Sequence, residues 1–208
     1  MADQLIKELN ILAQEFQLSP RQIEQFALYA TLLKKASKEF NITTITDDVA
    51  IVSDHFRDSL MVTKYVDFNN LTQCADVGTG GGFPGLPIKI CYPDLPMVLI
   101  EVTEKKIRFL EMVIQELGLT NIEISNLDWR TFIRKTSYPI DLFLSRASLH
   151  PVDLIKIFKP ASLYKNATIA YWASKLWQPD AVENFYISQE LSYKVGEKDR
   201  KLIIFKNH

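Results

Sequence analysis

The chain has 208 residues, 47% of them apolar, 11% aromatic and 24% charged, with 24 Lys and Arg set against 25 Asp and Glu. That length suits one α/β domain with a helical extension; the apolar fraction excludes intrinsic disorder, and 7 Gly with 9 Pro exclude a collagen-like or linker composition. A formal net charge of -1 excludes a basic coat over the whole surface and leaves nucleic-acid contact to a local basic face.

Residues 1–66 read as a helical extension. Ile6, Leu9, Ala13 and Phe16 recur at helical steps, as do Ile23, Phe26, Ala27, Ala30 and Leu33. Ser19-Pro20 sets a capping hydroxyl before a proline, and Gln22 completes a capping box. Asn41 to Asp48 reads as a loop, after which Asp47 or Asp48 caps a third helix running to about Tyr65. MADQLIKELNILAQEF carries acids and no apolar core, so it is not read as a signal peptide, and no run approaches a spanning helix. A soluble, cytoplasmic chain with no membrane contact is expected.

From Leu71 the punctuation changes. CADVG, MVLIEV, NIEIS, IDLFLS and ATIAYW are short apolar runs separated by helix-compatible segments. Thr103 precedes one such helix and Gly118 stands where its end is expected. Alternating strand and helix signals predict right-handed crossovers and a mostly parallel, Rossmann-like sheet in one compact unit, residues 67–208. YISQELSYKV and RKLIIFK around GEKD predict an antiparallel hairpin at the end. Cys74 and Cys91 with His55, His150 and His208 give no metal-ligand spacing, so no metal is expected.

The sharpest local signal runs from Asp76 to Gly85, DVGTGGGFPG, at a strand end and before a helix. Glycines at Gly78 and Gly80 let the backbone approach a ligand without a Cβ in the way. Glu101 ends the next strand, where an acid accepts hydrogen bonds from ribose hydroxyls. Gly80, Gly82 and Gly85 also fit the dinucleotide spacing, so the glycines alone do not choose a cofactor. Asp76 does: a carboxylate beside the loop repels a pyrophosphate and suits the ammonium of a methionine moiety, which favours S-adenosylmethionine. Glu104, Lys105, Lys106 and Arg108 read either as a solvated helix start or as an RNA contact.

DVGTGGGFPGLPIKI, LIEVTEKKIRFL, LGLTNIEI and DLFLSRAS resemble the bacterial 16S ribosomal RNA guanine-N7 methyltransferases, the glucose-inhibited division protein B family. FNITTI, DHFRDSL and RKLIIFKNH fit the same family, so the resemblance spans essentially the whole chain in order. It implies a Rossmann-like methyltransferase that moves a methyl from S-adenosylmethionine to N7 of one guanosine in the 530 loop of 16S RNA, within the small subunit, acting as a monomer. By motif position Gly78, Phe83 and Arg146, the arginine ending strand four, match cofactor-lining residues, and Trp129-Arg130 the pair flanking adenine. Asn41, His55, Asp58 and Lys105 match other positions facing the cleft. Arg130 stands where the family commonly has an acid, and Lys175 keeps a lysine whose neighbouring glycine is lost, departures that bear on the RNA-facing surface. Trp129 reads equally as a face for adenine or as core.

Guanine N7 carries a lone pair and no proton, so the absence of a general-base constellation is compatible with the reaction, which needs mainly in-line positioning. Asp58 is a candidate to stabilise charge moving onto the purine, and Arg146 to read O6 or hold a phosphate, or else to form an ion pair with Asp76 or Glu101. Phe40, Phe56 and Trp172 are available for stacking on a splayed base, although core packing suits each better. RNA affinity then rests on Lys34, Lys35 and Lys38 with Lys105, Lys106 and Arg108. The rivals are the same fold acting on a small molecule or protein, a non-catalytic assembly factor, and a nicotinamide oxidoreductase.

Overall fold

The computed structural model describes residues 2–207. Seven strands form one sheet: β1 (Cys74–Val77), β2 (Met97–Ile100), β3 (Ile122–Ser125), β4 (Leu142–Arg146), β5 (Thr168–Ala173), β6 (Ile187–Val195) and β7 (Lys198–Phe205). Their order is β3-β2-β1-β4-β5-β7-β6. The first five are parallel, β7 runs antiparallel to β5, and β6 pairs antiparallel with β7. β1 and β2 are buried along their whole length, as strands covered on both faces must be, which is why they read as unbroken apolar runs.

Two hydrophobic clusters cover the two faces. One joins Leu9, Phe26, Leu33 and Phe56 of the N-terminal helices to Leu86, Leu99, Leu142 and Trp172; the other gathers Val98, Phe132, Phe143, Ile157 and Phe205. The helices α1 (Ala2–Phe16) and α2 (Pro20–Phe40) therefore share a core with the sheet. The capping box at Ser19 and Gln22 forms as its residues predict, and Gln22 Nε2 also donates to the carbonyls of Ile90 (3.0 Å) and Cys91 (3.2 Å), fixing α2 to the Gly85–Cys91 helix. At the Glu104–Glu116 helix, Gly118 takes φ +61° just beyond the end, the left-handed turn its position implied.

The third helical stretch, 48–64, is capped by Asp47, as expected, but it is not a plain α-helix. A π-helical segment, Ile51–Arg57, lies inside it and gives way to a 3-10 turn at Met61–Lys64. Such widened turns cluster at functional sites because they re-aim side chains and release carbonyls. Lys89, fully buried on the Gly85–Cys91 helix, donates to the carbonyls of Pro93 (2.8 Å), Leu95 (2.6 Å) and Asn121 (3.1 Å) and so ties down the turns preceding β2 and β3. No helix among the described residues is long and apolar enough to cross a membrane.

Candidate active site

β1 delivers Asp76 to the carboxyl edge of the sheet between β2 and β4, the place where doubly wound sheets bind ligands. Asp76 is fully buried, and its Oδ2 accepts from the Thr79 hydroxyl (2.6 Å) and the Gly85 amide (2.7 Å), so one carboxylate ties both ends of the glycine loop. Its Oδ1 is buried with no partner. Burial pushes the Asp76 carboxyl up to about 6, against the lowering effect of those two hydrogen bonds and of Arg146. Glu101 Oε2 accepts from the Gly80 amide (3.0 Å), while Oε1 accepts from the amides of Val102 (3.0 Å) and Thr103 (2.8 Å).

Beside the loop lies a cleft of about 330 Å³ bordered by Gly78, Glu101, Asp128, Trp129 and Ser148. Gly78 has φ +66°, and a Cβ there would stand 2.5 Å from Ser148 Cβ, so only glycine holds this wall. Trp129 borders the cleft and is also core: it is 6% exposed, meets Phe143 edge-on at 5.2 Å, and donates its indole N–H to the Asp153 carbonyl (2.9 Å). Three expected cofactor positions do not face this cleft. Arg130 turns outward toward Asp153 (3.7 Å), because Asp128, capping the Trp129–Lys135 helix, takes the cleft-facing place. Phe83 is buried between Tyr29 (5.3 Å) and His55 (4.2 Å) in a stack of rings, so it supports the loop from behind. Arg146 likewise lies off the cleft lining, in a separate cluster.

That cluster is the structure's main addition to the sequence reading. Arg146, ending β4, donates Nη1 to Asp58 Oδ2 (3.1 Å) and to the Asp54 carbonyl (3.0 Å) in the π-helical turn, and Nη2 lies 3.2 Å from His55 Nδ1. Its guanidinium rests 5.2 Å from the Phe83 ring. The ion pair weighed for it with Asp76 or Glu101 is thus replaced by one with Asp58. An arginine has no lone pair to offer, so His55 Nδ1 accepts and Nε2 carries the proton, 3.0 Å from the Thr43 hydroxyl. Burial first, and Arg146 second, lower the His55 pKa from 6.5 to about 3.

A pH dependence follows. Between pH 6.5 and about 3 the folded chain leaves His55 neutral while the unfolded chain protonates it, so stability present above 6.5 is lost on acidification. By about pH 4.5 this amounts to about 2–3 kcal/mol. Asp76, raised to about 6, takes up a proton on folding and acts in the opposite sense. Urea unfolding of the wild type and of His55→Gln as a function of pH isolates the histidine: the variant is expected to lose that acid-side slope, and an unchanged slope would rule out a buried neutral His55.

The remaining expected residues lie apart. Asn41 is the exposed left-handed residue ending α2, and its N–H donates to the Ser37 carbonyl. Lys175, exposed beyond β5, pairs with Asp199 (2.6 Å). Lys35, Lys105, Arg108, Phe40 and Met112 line a second groove of about 330 Å³ between α2 and the Glu104–Glu116 helix. Phe56 and Trp172 are core, as expected, whereas Phe40 is 50% exposed. Lys34 pairs with Asp48 (2.5 Å), Lys106 with Glu101 (3.8 Å) and Arg108 with Glu104, which reduces the free basic cluster. Asp128 and Ser148 border the cleft without any motif that marks them; both follow strand ends at the carboxyl edge, the one sequence signal of their place.

The sequence profile of GidB, rRNA small subunit methyltransferase G, matches residues 22–195. The chain belongs to the GidB family. Ribosomal RNA small subunit methyltransferase G of Listeria welshimeri is 32% identical over 184 residues, covering 81% of this chain and 77% of that protein. The protein of the same name from Bacillus subtilis is 45% identical over 104 residues, 50% of this chain and 44% of its own length; the Geobacillus kaustophilus one is 37% identical over 145 residues, 69% and 61%. The matched segment thus spans less than two thirds of these last two relatives. Among solved structures, the human methyltransferase 10 domain containing protein superposes with TM-score 0.58 at 13% identity, covering 89% of this chain and 96% of that one. The putative methyltransferase yhhF of Escherichia coli gives 0.55 at 17%, covering 74% and 86%. The GidB-family chain therefore has the Rossmann-like methyltransferase fold, with its mixed seven-stranded sheet and antiparallel end.

Proposed function

We propose that the chain transfers a methyl group from S-adenosylmethionine to N7 of a guanosine in the 530 loop of 16S ribosomal RNA, as a cytoplasmic monomer acting on the small ribosomal subunit without a metal. The observation that carries this reading is a glycine-walled cleft beside a fixed arginine whose histidine neighbour has both ring nitrogens engaged. Around Arg146 the hydrogen-bonding atoms of His55 and Asp58 are all occupied, and N7 has no proton for a base to remove. Residues 1–66 are read as the extension and 67–208 as the methyltransferase unit.

S-adenosylmethionine, when bound, supplies an electrophilic methyl on a sulfonium. The residues fit it: the unpartnered buried Oδ1 of Asp76 is available to an ammonium, and the Gly78 wall is a cradle that a Cβ would fill. Glu101 keeps about one acceptor site for a ribose hydroxyl after accepting three amides, and Asp128 and Trp129 serve the adenine side. Asp58 and His55 hold Arg146 against the target base or its phosphate, where a planar five-donor group reads acceptors in a fixed direction. Exposed Phe40 between Lys35 and Lys105 offers stacking and charge to single-stranded RNA entering beside the loop.

The test incubates radiolabelled S-adenosylmethionine and the protein with small subunits lacking the modification, with naked 16S RNA and free guanosine in parallel. Label recovered as 7-methylguanosine with the particle alone is the expected result. Cofactor binding by calorimetry with no label on any RNA would overturn the substrate, and no binding would overturn the enzyme.

A further inference from the structure

Asp58 is 4% exposed and accepts on both oxygens. Oδ2 takes Arg146, and Oδ1 takes the Tyr193 hydroxyl at 2.7 Å. Tyr193 sits on β6 directly opposite Arg200 of β7, so the two project from one face of the hairpin. Arg200 Nε lies 3.9 Å from the same Oδ1, and its Nη2 3.7 Å from Asp54 Oδ1. Lys198, two residues before Arg200 and on the same face, reaches Asp54 Oδ2 at 2.5 Å. Asp54 and Asp58 are one turn apart in the widened helical stretch, and the Trp172 indole of β5 holds the Asp58 carbonyl at 3.0 Å. The hairpin thus grips the side chains of both aspartates that hold Arg146, Asp58 through its carboxylate and Asp54 through its backbone carbonyl.

We propose that Tyr193 is a positioning residue for Arg146, acting through Asp58: its hydroxyl occupies Oδ1 and leaves Oδ2 as the fixed acceptor for the guanidinium. A carboxylate free to rotate about its Cβ–Cγ bond offers the arginine two equivalent oxygens and a spread of directions. A hydroxyl bound at 2.7 Å to one of them removes that freedom. Arg200, at 3.9 Å, supplies charge without a directed bond. The shape of the arginine's site is therefore set from the last strands of the chain, more than a hundred residues from the turn that bears Asp58. This rests on the reading that Arg146 meets the RNA substrate.

Tyr193→Phe removes the hydroxyl and keeps the ring in the core. In single-turnover assays with small subunits, the methyl-transfer rate is expected to fall about tenfold while the cofactor dissociation constant stays within about twofold. In an Arg146→Lys background the same substitution is expected to change the rate by less than about twofold, because residues acting through one group do not add. Additive losses, or a loss that appears only in cofactor affinity, would overturn the proposal, as would a variant that does not fold. A second readout does not depend on turnover. By NMR, the imidazole of His55 is expected to titrate higher in Tyr193→Phe than in the wild type, because Arg146 no longer stands fixed at Nδ1. If the wild type methylates no RNA, the functional reading fails, and the His55 titration alone decides the positioning role: an unshifted titration refutes it.

Discussion

Arg146→Ala is expected to lower methyl transfer by about a thousandfold while cofactor binding stays within about threefold, since a fixed guanidinium that holds O6 or a phosphate orients N7 for in-line attack and touches no part of the cofactor cleft. The structure separates these two effects. Arg146 lies outside the cleft bordered by Gly78, Glu101 and Trp129, but it is held by Asp58 Oδ2 and the Asp54 carbonyl. The substitution also leaves Asp58 buried without its main countercharge, a loss of about 3 kcal/mol, so it must be read at a temperature where the variant is folded. Arg146→Lys is the companion: charge persists but the two-pronged grip on Asp58 and His55 does not, and an intermediate rate is expected. Single-turnover methyl transfer with calorimetry on the same samples makes the distinction. Full activity in the alanine variant would remove Arg146 from the reaction.

The complementary result is expected at Gly78→Asp. Here cofactor affinity falls by at least about a hundredfold and transfer is lost with it. The backbone at φ +66° resists any Cβ, at about 1–2 kcal/mol. The new Cβ meets Ser148 Cβ at 2.5 Å, and the added carboxylate joins Asp76 and Glu101 in one small space. Gly78→Ala keeps the first two effects without the charge and is expected to bind more weakly than wild type and more tightly than the aspartate variant. Calorimetric titration with S-adenosylmethionine orders the three. An alanine variant with wild-type affinity would mean that Ser148 yields and the cleft does not need that wall.

Much of this frame is legible before folding. β1, β2 and β4 announce themselves because strands covered on both faces are unbroken apolar runs, and Ser19, Gln22, Asp47 and Gly118 act locally, within a turn of where they stand. The hairpin is legible from its spacing around GEKD. What stays hidden depends on which way side chains turn or on distant pairing. Nothing in IVSDHFRDSL breaks a helix, so the π-helical segment that turns Asp54, His55 and Asp58 onto Arg146 has no local signature. Phe83 follows a glycine run that suggests a ligand, yet Tyr29 and Phe56 come from 27 to 54 residues earlier to bury it. Arg130 and Asp128 are two positions apart, and which one borders the cleft depends on the cap that starts their helix.

The Tyr29 hydroxyl donates to the Gly81 carbonyl at 2.5 Å, and a Cβ on Gly82 would stand 2.6 Å from that same hydroxyl. The glycine loop is therefore moulded against α2 as much as against its own strand. The two share one contact, so a side chain added at Gly82 displaces the Tyr29 hydroxyl, and loss of that hydroxyl leaves the Gly81 carbonyl without its partner on α2. A change that undocks α2 therefore frees the Gly81 carbonyl and loosens the ligand-binding edge of the sheet from a distance.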